Sequence, residues 1–178
     1  MKTFAVIGSA AMLSAAASEP RTVYFDDFEG PSAMTGAGGV EGAQGYDGVN
    51  GVAGSFWRND SRSLATTPSL SGLGLHDGMT LEFDIAVIDS WVGAIGHIFG
   101  DDFFNIVVDS VTRLVTANFG GLGDALSHGV TGFFGFNPRY DDEARRLSTS
   151  FVHDADSAEI ALFADGRRGW TKAGPSTI

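Results

Sequence analysis

Residues 80–91 read TLEFDIAVIDSW, and the alternation in this stretch decides the fold class. Leu81, Phe83, Ile85 and Val87 take every second position, with Glu82, Asp84 and Ala86 between them. Successive side chains of a strand point to opposite faces, so the pattern predicts a half-buried β-strand with its acids toward water. The period recurs downstream. Residues 103–109 (FFNIVVD) place Phe104, Ile106 and Val108 on one face; residues 147–152 (LSTSFV) and 158–163 (AEIALF) repeat it. Asp109 and Ser110 predict a hairpin turn into a strand over residues 112–119.

Upstream, residues 22–28 (TVYFDDF) and 55–58 (SFWR) are rich in β-formers, and residues 63–75 predict a strand running into a turn at His76-Asp77-Gly78. Residues 141–146 are a charged connector with room for one helical turn. Glycine-rich residues 29–54 and 120–140 lose all hydrophobic period and predict loops, the first wrapping one end of the domain. Short strands with turn chemistry between them and no amphipathic helix predict an all-β fold, an antiparallel two-sheet β-sandwich over residues 19–165 with an irregular tail at 166–178. The expected core is Phe25, Phe83, Ile85, Val87, Phe104, Ile106, Val108, Leu147, Phe151, Ile160 and Leu162.

With 178 residues the chain suits one domain, and its lack of cysteine rules out disulfide bracing. A net charge of −11 carries none of the basic footprint of a nucleic-acid binder. Residues 1–18 predict a secretory signal: Lys2 opens it, residues 4–17 are small and apolar, and Ala15-Ala16-Ala17 offers a cleavage pattern. A buried N-terminal helix is the competing reading. The expected address is secreted: extracellular, periplasmic or at the cell surface, with no membrane span in the mature chain.

The succession FDDFEG (25–30), GSFWRN (54–59), LSGLGLHDGMTLEFDIAVIDSWVG (70–93), DDFFNIVVDSVTRLVTANF (101–119) and LSTSFVHDADSAEIALF (147–163) resembles a secreted bacterial domain found in exported proteins, some with a PEP-CTERM sorting tail. The resemblance covers most of the mature chain and implies a concanavalin A-like or jelly-roll sandwich outside the cytoplasm, with no catalytic residue in its motifs. Such domains close with a strand carrying an aspartate-asparagine-valine pattern. Here Gly169-Trp170 is followed by TKAGPSTI, which lacks it.

Three functional readings follow. Laminarinase-type glycosidases carry E-x-D-x-E on one strand, and retaining hydrolysis needs two carboxyl groups about 5 Å apart. Glu82 and Asp84 supply the first two acids, but Ala86 stands where the third belongs, so no catalytic residue is assigned and a divergent glycosidase is the last alternative. A non-catalytic module binding carbohydrate or another surface polymer is the leading reading. Exposed rings cover the apolar face of a pyranose, which makes Trp57, Trp91, Tyr46 and Tyr140 candidates, with Asp89 as a hydroxyl acceptor. A structural or extracellular-matrix sandwich is the second reading. For metals, oxygen donors suit calcium, and Asp26, Asp27 and Glu29 cluster at the end of the first strand as a candidate structural Ca2+ site. The four histidines, His76, His97, His128 and His153, occupy separate turns with no zinc-ligand spacing, and no nucleophile elbow is present. Asn59-Asp60-Ser61 is a glycosylation sequon, read as a chance match.

Overall fold

The structure, a computed structural model, describes residues 3–15, 21–60, 64–88, 102–117, 130–132, 134–135 and 142–166. Twelve strands are present among these residues, with one short 3-10 turn, Gln44–Tyr46. One sheet runs β10 (Val130–Gly132), β11 (Asp142–Phe151), β7 (Met79–Ile88), β1 (Thr3–Ala15), β5 (Ser55–Asn59) and β4 (Gly39–Gly42), with β2 (Arg21–Tyr24) also paired to β1. The other runs β3 (Met34–Gly36), β6 (Thr66–Ser71), β12 (Ser157–Gly166), β8 (Asp102–Val108) and β9 (Thr112–Ala117). Every recorded pairing is antiparallel.

The two sheets share one hydrophobic cluster. Met79, Leu81, Phe83, Ile85, Val87 and Leu147 from the larger sheet meet Phe104, Ile106, Val108, Ile160 and Leu162 from the smaller. Phe83 and Phe104 touch edge to face, with ring centroids 6.0 Å apart. The all-β, sandwich-like architecture and the register expected from residues 80–91 are therefore present, with Phe83 and Ile85 inside. Phe151 is half-buried against the same cluster. Phe25 is the exception: it is 54% exposed. It lies beyond the end of β2, which stops at Tyr24, so strand alternation no longer governs where its side chain points.

A second cluster lies on the outer face of the larger sheet. Ala86, Ile88, Ala144 and Phe56 are covered there by Ala43, Tyr46, Val49 and Val52 from the glycine-rich segment. Residues 29–54 are thus more than a loop: they contain β3, β4 and the 3-10 turn, and residues 43–52 lie across the larger sheet. Glycine permits the close approach. A Cβ on Gly45 would strike the Phe134 carbonyl, and Gly38, at φ 104°, would strike Arg58 and Trp57.

Residues 141–146 form no helical turn where they are described; β11 starts at Asp142 and runs ten residues. Its charges are satisfied across and along the strand, Arg146 by Asp84 and Arg145 by Glu143, so polarity does not interrupt the ladder. The β8–β9 hairpin forms where expected. Asp109 and Ser110 have φ of 52° and 59°, and Val111 N–H donates to the Val108 carbonyl, the pattern of a type I′ turn. The segment read as an export signal supplies β1, which pairs with β7 on one side and with β5 and β2 on the other. The competing helical reading of those residues does not describe their backbone in this chain.

Removing a core ring should cost far more than removing the exposed one. Phe83→Ala is expected to lower unfolding stability by about 3–5 kcal/mol. Phe25→Ala should stay within about 0.5 kcal/mol of the parent. Chemical denaturation of the two variants checks both values.

Candidate functional site

The acidic strand β7 carries the carboxylates that hydrolysis would need. Glu82 and Asp84 project from the outer face of β7, opposite Ser148 and Arg146 of β11. Ser148 Oγ donates to Glu82 Oε1 at 3.0 Å. Arg146 grips Asp84 with two bonds, Nε to Oδ1 at 2.8 Å and Nη2 to Oδ2 at 3.0 Å. Asp84 is only 1% exposed, so it is not the solvated acid expected from strand alternation. The ion pair explains how it is tolerated there: a buried carboxylate needs a charged, hydrogen-bonded partner. Arg146 is in turn held more firmly protonated, chiefly by its hydrogen bond to Asp84. Glu143 does not join these acids. Opposite Val87, it falls on the inner face and pairs with Arg145 at 2.6 Å.

The N-terminal acids do not converge. Asp26 is buried and accepts from Tyr24 Oη at 2.8 Å, Ser32 Oγ at 2.6 Å and the Phe28 amide at 2.9 Å. It works as a bracket that folds residues 24–32 into a turn. Asp27 accepts the Glu29 amide at 3.1 Å and is exposed, as is Glu29. Among the described residues, no group of three or more His, Cys, Asp or Glu side chains is arranged to hold a metal ion. Burial, then the hydrogen bond to Asp26, push the Tyr24 phenol well above its ordinary range.

Of the candidate rings, Tyr46 is corrected outright. It is fully buried, donates to the Val87 carbonyl at 2.9 Å and packs on Phe134, so neither ring face is open to a sugar. Trp57 is half-buried against the main core, with its Nε1 donating to the Ala37 carbonyl at 2.9 Å. Trp91, Asp89 and Tyr140 lie outside the described residues. Asn59 of the sequon is buried, its amide donating to Leu64 and Thr66, so it offers no glycan acceptor.

The sequence reading missed a site at one end of the fold, where three turns meet. His76 follows β6, His153 follows β11 and Asp109 follows β8. His76 Nδ1 lies 2.8 Å from the Gly74 carbonyl, and its Nε2 lies 2.8 Å from His153 Nδ1. His153 Nε2 lies 3.2 Å from Asp109 Oδ2, and Asp109 Oδ1 accepts the Glu159 amide at 2.9 Å. Asp156 accepts the Gly74 amide at 2.9 Å, and Arg21 caps the Leu73 carbonyl. Both histidines are nearly buried, 7% and 8% exposed. The same three turns carry three aliphatic side chains in water: Leu75 at 95%, Val111 at 85% and Val152 at 88% exposure. The available signal was the pairing of His or Asp with a turn in three places, HDG, VDS and HDAD, which antiparallel strand order brings to one end.

No family model, curated protein or solved structure matches this chain.

Two outcomes follow. Arg146→Ala leaves the Asp84 carboxylate without its partner and should cost about 2 kcal/mol in denaturant unfolding. The second concerns alkaline pH. The unfolded phenol of Tyr24 ionises near pH 10. The folded one keeps its proton to higher pH, so this contribution is intact below about pH 10 and is lost as pH rises beyond it. Melting temperature measured from pH 9 upward should fall less steeply in Tyr24→Phe than in the parent.

Proposed function

We propose that this chain is an exported, non-catalytic binding module for carbohydrate or another surface polymer, built on a jelly-roll sandwich of the concanavalin A-like kind. One observation carries the reading: three aliphatic side chains stand almost fully in water on loops tied together from beneath. Folding gains nothing from such exposure, and apolar side chains exposed on three joined turns suit a contact surface. Exposed Asp77, Asp154 and Asp156 lie on two of the same turns and supply hydroxyl acceptors. The acids considered for hydrolysis are committed to Ser148 and Arg146, which lends the glycosidase alternative no support. Asp26 already accepts three hydrogen bonds from within the chain, and calcium is no part of this reading.

The jelly-roll assignment is supported by the way the chain alternates between sheets, β5, β6, β7 and β8 crossing each time. Export has a consequence for the larger sheet. Cleavage near Ala17 would remove β1 from between β5 and β7, which run parallel to each other because each is antiparallel to β1. Another strand would then have to take that place.

The structural-protein alternative draws on the same tips, which would bury against further copies of the chain. The test is cosedimentation of the exported protein with insoluble cellulose, chitin and peptidoglycan, with its mass recorded to establish whether residues 1–18 remain. The parent should be retained on at least one polymer. Leu75→Ser, Val111→Ser and Val152→Ser combined should release it several-fold with little change in stability, since all three are exposed. Tip-dependent self-association without polymer binding would favour the structural reading instead.

A further inference from the structure

We propose that His76 and His153 form a site that holds one shared proton, and that this proton fastens the three turns at the tip end. A carbonyl only accepts, so His76 Nδ1, 2.8 Å from the Gly74 carbonyl, must carry a hydrogen. A carboxylate only accepts, so His153 Nε2, facing Asp109 Oδ2 at 3.2 Å, must carry one too. The two remaining ring nitrogens face each other at 2.8 Å. Two bare lone pairs at that distance repel, and two N–H groups collide. One hydrogen between them satisfies both.

The pair therefore carries three ring hydrogens and one positive charge, which the Asp109 carboxylate balances. Ring geometry agrees. The centroids lie 5.1 Å apart with planes 19° from parallel, a separation that matches the N···N distance plus two ring radii. The imidazoles thus meet edge to edge in nearly one plane, as an N–H···N bond requires, and are not stacked face on face. A metal ion fits less well, because nitrogen ligands about 2.0–2.1 Å from a tetrahedral zinc lie farther apart than these two do.

Most of the charged groups around the pair are acids. Asp109 faces His153 directly, and Asp156 lies on the Gly74 amide beside His76. Asp77 and Asp154 adjoin the two histidines in sequence, and Glu159 lends its amide to Asp109 while its side chain is exposed. Against these acids stands Arg21, on the Leu73 carbonyl. The edge of Phe151 closes on the His153 ring at 6.3 Å, which limits water.

Because Leu75 and Val152 adjoin the two rings, the same proton sets the spacing of the apolar tips. That consequence rests on the binding reading, whereas the proton site does not.

The test uses the full chain labelled with nitrogen-15. Ring nitrogen and proton spectra at pH 6–7 should give three ring N–H signals for the pair, one of them far downfield, and His76→Gln or His153→Gln should abolish that signal. Two neutral rings with no shared hydrogen across this range would overturn the proposal, whether or not the variants fold. So would equimolar zinc that raises the parent's melting temperature and replaces the downfield signal, which would make this a metal site.

Discussion

Strand β7 is covered on both faces, and the rest of the fold is arranged around that requirement. Its inner residues, Leu81, Phe83, Ile85 and Val87, need the opposing sheet. Its outer residues change character along the strand: Glu82 and Asp84 are acidic, then Ala86 and Ile88 are apolar. The apolar end needs a cover, which Tyr46 and its neighbours provide, and the acidic part needs partners, which Ser148 and Arg146 provide. The Tyr46 hydroxyl binds the Val87 carbonyl, so the cover is fastened to the strand it shields. Asn50 does the same for the next strand through the Ala144 carbonyl.

This explains which parts of the architecture were legible in the sequence. Period-two alternation identifies a strand and its inner face reliably when one face meets water. It identified residues 158–163 on those terms, and the inner residues of 80–88 and 103–108 although their other faces are largely covered. It misjudged Asp84, because a long-range partner 62 residues away, Arg146, does not register in a local pattern. It passed over β3 and β4, whose glycines leave no side-chain period to detect, and it took the charges of 142–146 as a break in the ladder. Ala86 and Ile88 were the overlooked clue. Apolar residues on the supposed water face mean that something lies over it.

The tip end was less legible for a different reason. Histidine and aspartate in a turn are ordinary in isolation, and each of the three turns reads as ordinary. Their chemistry exists only where antiparallel strands return the chain to the same end, and where Asp109 adopts a positive φ while binding both β12 and His153. A search for zinc-ligand spacings along the sequence was bound to miss a pair separated by 77 residues.

Sheets and loop tips use their side chains differently. Polar side chains over the sheets are largely spent on structure: Asp26 closes a turn, Asp84 and Arg146 neutralise each other, Asn59 holds Leu64 and Thr66, and Trp57 is tied to Ala37. A group whose hydrogen-bonding capacity is used internally has little left to offer a ligand, and withdrawing it would leave buried partners unsatisfied. The loop tips follow the opposite logic. Leu75, Val111 and Val152 contribute little to folding where they stand, yet the turns that carry them are fixed by buried histidines and by Asp109 and Asp156. Rigid support under exposed apolar side chains lowers the entropy lost when those side chains are covered, which is the physical requirement of a preorganised contact surface.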